Sequence, residues 1–230
     1  MSLAIRATDL RELMDDPDCD PRRLAATLRR FDVVNRAVSG WGGVYRRTLR
    51  PWLRALDRPA RVLDLGCGGG DVLARLARAA GADGIRAEWI GVDPDPRALT
   101  VAQERRSPGL SFRTTDSAVL RAAGETFDVV LSNHVLHHLG DEELTRFADD
   151  SRALSTGIVL HGDIERGALA YGLYGVGILP LAPGTFLRTD GLRSIRRSFR
   201  AAELRDALPG DWQVVRPAPF RLLAIGRGRA

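Results

Sequence analysis

No lysine occurs in this 230-residue chain: all 34 basic residues are arginine, set against 29 acids for a formal charge of +5. The arginines stand singly or in pairs with acids between them. That spacing reads as compositional bias and solvated helix faces, not as the single-faced basic footprint of a nucleic-acid binder. Cysteine is almost absent too. Cys19 sits in an acidic turn and Cys67 in a glycine-rich loop, which excludes a disulfide framework and points to a reducing cytoplasm. The first sixteen residues carry charges throughout, so no apolar secretory leader is read there. Internal repeats and low-complexity linkers are also lacking, and 44% apolar content is ample for one compact domain.

What the chain does have is a dense glycine stretch after a short apolar strand, R-V-L-D-L-G-C-G-G-G-D at 61–71. Gly66, Gly68, Gly69 and Gly70 remove side chains from four of five positions, as a loop does when a ligand must approach the backbone. A helical pattern follows directly. Such a strand, turn and helix hold a ligand over the strand's carboxyl end. A dinucleotide fingerprint counted from Gly66 wants a third glycine at 71, where this chain has Asp71.

Downstream, apolar strands alternate with amphipathic helices. Strands are predicted at 61–65, 87–92, 110–114, 127–132 and 156–161; helices are predicted at 70–81, 96–106, 117–123 and 141–154. The alternation predicts a parallel sheet covered on both faces, with ligand-facing loops at the strands' carboxyl ends. Asp93, followed by Pro94, closes the second strand 27 residues after Gly66, where an acid accepts hydrogen bonds from both ribose hydroxyls. Residues 1–57 read as a helical cap, with a helix from Asp20-Pro21 and a break or kink at Pro51. The remainder, 58–230, reads as the ligand-binding domain with a lid insertion at about 164–197.

The string L-D-L-G-C-G-G-G resembles the first motif of class I S-adenosylmethionine (SAM)-dependent methyltransferases, its acid, apolar residue and G-x-G met by Asp64, Leu65, Gly66, Cys67 and Gly68. A second match is F-D-V-V-L-S-N-H-V-L-H-H-L at 127–139. It resembles the fourth motif of small-molecule methyltransferases of the ubiquinone and menaquinone type. The resemblance implies an α/β, Rossmann-like seven-stranded sheet with an antiparallel last strand. It implies SAM as cofactor and S-adenosylhomocysteine (SAH) as product. It also places Asp116 on the adenine amino group, Ser117 N–H on the ring, and Asn133 beneath the sulfonium. Tyr45, Arg46 and Arg47 become candidates to touch the cofactor from the cap. More loosely, the pattern looks like actinobacterial methyltransferases of polyketide phenols. The adenine-type N-P-P-Y signature is missing, which argues against nucleobase amines as acceptors.

The expected reaction is methyl transfer to a small phenolic, quinone-like or lipid-tailed acceptor, at oxygen or carbon. His134, or His161 oriented by Asp163, is the expected base. A zinc site from His134, His138 and His161 is conceivable, but no cysteine lies nearby and no ligand motif matches, so no metal is expected. Residues 167–187 carry no charge and are followed by Arg188, Arg193, Arg196, Arg197 and Arg200. An apolar flap beside an arginine cluster suits a lipophilic substrate or peripheral contact with an anionic membrane through 167–200. Rival readings are a non-catalytic SAM or SAH binder, an RNA methyltransferase and an NAD-dependent oxidoreductase.

Overall fold

A computed structural model of the chain describes residues 3–230. Helix α1 (Pro21–Val38) starts where the sequence predicts: the Asp20 carboxylate accepts from Arg22 and Arg23 N–H, and Pro21 sits where its missing N–H costs nothing. Next come α2 (Trp41–Val44), a π turn (Tyr45–Leu49) and α3 (Arg50–Arg54). Together they form one helical run through Pro51, so of the kink or fresh start expected there the fresh start is absent. The turn before the proline widens, with Arg50 N–H bonding the Tyr45 carbonyl, and this relieves the ring's clash with the preceding turn.

Strand and helix then alternate: β1 (Ala60–Leu65), α4 (Asp71–Ala82), β2 (Ala87–Asp93), α5 (Pro96–Ala102), β3 (Leu110–Thr114), α6 (Ser117–Ala122), β4 (Phe127–Asn133), α7 (Asp141–Ala153) and β5 (Ser155–Ile164). An insertion, α8 (Ala168–Gly177) and α9 (Leu187–Arg197), precedes α10 (Ala201–Ala207), β6 (Gln213–Val215) and β7 (Arg221–Arg227). The sheet order is β3-β2-β1-β4-β5-β7-β6, parallel except for β7, which runs antiparallel to both neighbours. The Rossmann-like seven-stranded sheet implied by the resemblance is thus present. Two boundaries move: α5 tightens into a 3₁₀ turn at Gln103–Arg105, and β5 continues to Ile164, carrying His161 and Asp163 into the ladder with β7.

Side-chain alternation on the central strands divides the core in two. Val62, Val129 and Leu131 face the α2–α4 side with Trp41, Leu49 and Leu73. Leu63, Leu65 and Val130 face the α7 and α10 side with Leu144, Leu204 and Trp212. Strands buried on both faces need the continuous apolar runs that the sequence displays.

From residue 3 to α1 the described residues have no regular secondary structure, yet they are tied down at several points. Arg6 donates to the carbonyls of Arg197, His137 and Leu139 and stacks over Phe199; Ala7 N–H bonds Arg196 O. Leu13 and Met14 N–H each donate to a different oxygen of the buried Asp190 carboxylate, both at 2.9 Å. The arm therefore lies across α9 and the loop after β4.

Candidate active site

The carboxyl ends of β1, β2, β4 and β5 open into a cavity of about 1230 Å³. That exceeds the usual range of about 300–1,000 Å³ for a small-molecule site, leaving room for two ligands side by side.

One half is built by the glycine loop and the acids around it. Gly66 and Gly70 adopt φ of +70° and +73°; a β-carbon on Gly66 would lie 2.7 Å from Val135, and one on Gly70 2.5 Å from the Phe112 ring. Both positions therefore require glycine twice over, for conformation and for space. The loop's N–H groups mostly point inward: Gly66 and Cys67 donate to Val92 O, Gly68 to Asp93 Oδ2 and Gly70 to Cys67 O. A pyrophosphate would find these donors engaged.

The electrostatics run the same way. Asp64 and Asp71 are buried, and Asp93 stands beside them at the end of β2. Burial first, and then Asp71 and Asp93, push the Asp64 carboxyl well above its usual range; burial also raises Asp71 and Asp93. Asp64 Oδ1 has no hydrogen-bond partner among the described residues. A cluster of buried acids with an unpartnered oxygen repels phosphate and suits a ligand with cationic centres. SAM, with an ammonium and a sulfonium, fits these residues. Asp93 Oδ1 and Oδ2 each accept one backbone N–H, from Asp95 and Gly68, which leaves acceptor capacity for two ribose hydroxyls. Pro94, Asp116 and Ser117 line the same half. Asp116 also caps α6 through Val119 N–H, and Ser117 Oγ donates to Asp150. Asn133 faces the cavity with its Oδ1 fixed by the Trp41 indole N–H at 2.9 Å. Of the three cap candidates, only Arg46 lines the cavity: the Tyr45 hydroxyl is tied to Asp83 and Arg47 donates to Pro217 O.

The other half belongs to the arm, the loop after β4 and the α8–α9 insertion. His134 lines it in a left-handed conformation, φ +63°. Arg221 Nη1 donates to His134 Nε2 at 2.6 Å, so the imidazole's own proton sits on Nδ1. Burial and that guanidinium hold the His134 pKa well below its usual value, leaving a weak base. His161 is elsewhere. It is fully buried outside the cavity lining, between Phe147 and Trp212, sharing a 2.8 Å hydrogen bond with Ser132. The expected His161–Asp163 pairing is not formed. Because β5 runs three residues further than predicted, Asp163 meets the loop after β4, and its Oδ1 accepts from His137 Nδ1 at 2.7 Å and its Oδ2 from His137 N–H at 2.8 Å. Burial opposes charge on His137, but Asp163 and Glu12 together raise its pKa; the Asp163 carboxyl, despite its burial, is held well below its ordinary range.

Glu12, which the sequence does not single out, completes this half. It is buried, lines the cavity, accepts from Ser194 Oγ at 2.7 Å, and lies 3.3 Å from His137 Nε2 and 3.7 Å from His138 Nε2. His134, His138 and His161 do not converge, since His161 is sealed in the core.

A family profile described as "Methyltransferase domain" matches residues 62–157. The chain is 29% identical over 199 residues to the ubiquinone biosynthesis O-methyltransferase of Azorhizobium caulinodans, covering 79% of this chain and 74% of that one. Against the protein of the same description from Brucella ovis it is 30% identical over 154 residues, spanning 60% of that relative's length. Among solved structures, the magnesium protoporphyrin IX methyltransferase of Synechocystis with bound SAM shares the fold at TM-score 0.51 and 16% identity, over 93% of this chain and 100% of that one. The plantazolicin methyltransferase BpumL with SAH and a desmethyl analogue does so at TM-score 0.56 and 14% identity, over 91% and 96% of the two chains.

Proposed function

The chain is a class I SAM-dependent methyltransferase related to the ubiquinone-biosynthesis O-methyltransferases, and from that premise we propose that it methylates a hydroxylated aromatic or quinone-type acceptor carrying an apolar tail. The carrying observation is the cavity's mouth. Val33, Val38, Leu173 and Phe220 are at once exposed and part of the cavity lining. Leu169, Val176 and Leu179 extend this lip along the exposed side of α8 and the turn after it. An apolar entrance to an apolar-walled chamber selects for a lipophilic guest.

In this reading Asp64, Gly66, Cys67, Gly68, Asp93, Pro94, Asp116, Ser117 and Asn133 hold the cofactor, which supplies an already activated methyl group. The protein's task is to align the acceptor with it and exclude water. Neither His134, bonded to Arg221, nor the sealed His161 is placed to take a proton from the acceptor. Glu12, His137 and His138 line the acceptor half and are the candidates in their place.

Docking at an anionic bilayer is the natural extension of the apolar lip, though the arginine cluster serves it less than the sequence suggests. Arg193 bonds Arg11 O, Arg197 pairs with Asp15 and Arg200 bonds Leu3 O, so three of the five staple the arm. No helix among the described residues is long and apolar enough to cross a membrane. The exposed apolar side of α8 is the surface proposed to meet lipid transiently.

The test is methyl transfer from labelled SAM to a catechol with and without a prenyl tail. A kcat/KM at least tenfold higher for the tailed acceptor, reduced toward the untailed value by Leu173→Asp, is expected. Equal use of both would overturn the apolar-tail reading.

A further inference from the structure

We propose that Glu12, His137 and His138 form a binding site for a divalent transition-metal cation of the zinc class, in the acceptor half of the cavity. The geometry has three parts. The donor atoms converge: His137 Nε2 and His138 Nε2 lie 3.3 and 3.7 Å from Glu12 Oε1, and one ligand atom from each residue falls within 4.8 Å of the others. A tetrahedral ion with bonds of about 2.0–2.1 Å separates its ligand atoms by about 3.3–3.4 Å. The His137–Glu12 spacing matches such an edge, and the His138–Glu12 spacing exceeds it by a few tenths of an ångström.

The second part is what lies behind each imidazole. His137 Nδ1–H donates to Asp163 at 2.7 Å, and His138 Nδ1–H donates to Asp15 at 3.2 Å. Both rings are thereby oriented with Nε2 toward Glu12, the carboxylate–histidine arrangement that fixes the tautomer of a metal-ligating histidine. The third part is a buried ion pair. His137 is 1% exposed, and its Nε2 faces Glu12 Oε1 at 3.3 Å as an ion pair and not as an aligned hydrogen bond. A cation entering between the imidazole and the carboxylate would replace the Nε2 proton, so both groups would keep a partner of opposite charge.

Two histidines and one carboxylate leave at least one coordination position open, as in sites that act on a substrate. All three residues line the cavity, so that position faces the acceptor chamber. The cation's existence rests on these donors alone. Its role, placing positive charge beside an acceptor hydroxyl and favouring the ionised oxygen, rests on the proposed acceptor class.

Protein stripped with a chelator is titrated with Zn²⁺ by calorimetry and with Co²⁺ by visible absorption, with neither SAM nor acceptor present. One Zn²⁺ per chain and tetrahedral-type Co²⁺ bands are expected. Glu12→Gln and His138→Ala should each weaken Zn²⁺ binding at least about tenfold, with SAH affinity within about twofold of the parent as the check on folding. No stoichiometric uptake, or unchanged affinity in both variants, would overturn the site. Because uptake is scored without acceptor, a failed acceptor assay with an intact metal site counts against the acceptor reading only.

Discussion

The two halves of the cavity are made by different means. The cofactor half is built from residues close in sequence to the strand ends that carry them, so Asp64, Asp93 and Asp116 arrive through local strand-to-helix connections. The acceptor half is assembled from afar: Asp190 holds Leu13 and Met14 across separations of 177 and 176 residues, and Glu12 meets Ser194 across 182. The first half follows from the sheet's topology. The second depends on a strap and an insertion that the topology leaves free to vary, as expected where a shared fold serves different acceptors.

The sharpest way to break this division is to release the strap. Asp190→Ala removes two hydrogen bonds to a charged acceptor, each worth about 1.5–3 kcal/mol, and frees the segment that carries Glu12. If the halves are independent, kcat/KM for the acceptor should fall by about a hundredfold while SAH affinity in a calorimetric titration stays within about threefold. A parallel loss of SAH affinity would show that the strap organises both halves. Next in size is the reciprocal change. Asp93→Ala should weaken SAH binding by about 1–3 kcal/mol and leave the kcat at saturating SAM within a few-fold of the parent. Unchanged affinity would remove Asp93 from the cofactor half.

The same division marks what could be read in advance. The alternation of strand and helix, the glycine turn and the acids at strand ends are local patterns of period and spacing, and Asp93 lies at the strand end where those patterns put it; the seven-stranded sheet with its antiparallel last strand and the place of Asn133 come from the family resemblance. The helical run through Pro51 was not legible, because the π turn that accommodates the ring leaves no composition signal. Nor was Glu12: residues 3–16 have no apolar periodicity, and only the distant Asp190 and Arg197 give them a path. The pairing of Asp163 was missed for a smaller reason. Stopping β5 at residue 161 left Asp163 in a loop beside His161, whereas the longer strand delivers it to His137.

That leaves His161, which reads as a base in the sequence and is a core residue in the fold; its signature should appear in stability, not in turnover. Burial lowers its pKa from 6.5 to about 3, with Asp163 opposing the shift. The folded state thus keeps the ring neutral while the unfolded chain takes up a proton below about pH 6.5. Its contribution is fully present above that pH and is lost as pH falls toward 3, with a slope approaching about 1.4 kcal/mol per pH unit. His161→Gln should cost about 1–3 kcal/mol at pH 7.5, through the Ser132 bond and its packing between Phe147 and Trp212. Since the variant lacks the proton uptake, urea titrations between pH 7.5 and 4.5 should show the gap to the parent closing as pH falls, with methyl transfer at pH 7.5 little changed. A gap independent of pH would mean that His161 is not held neutral. A variant that is stable but inactive would return this histidine to the chemistry.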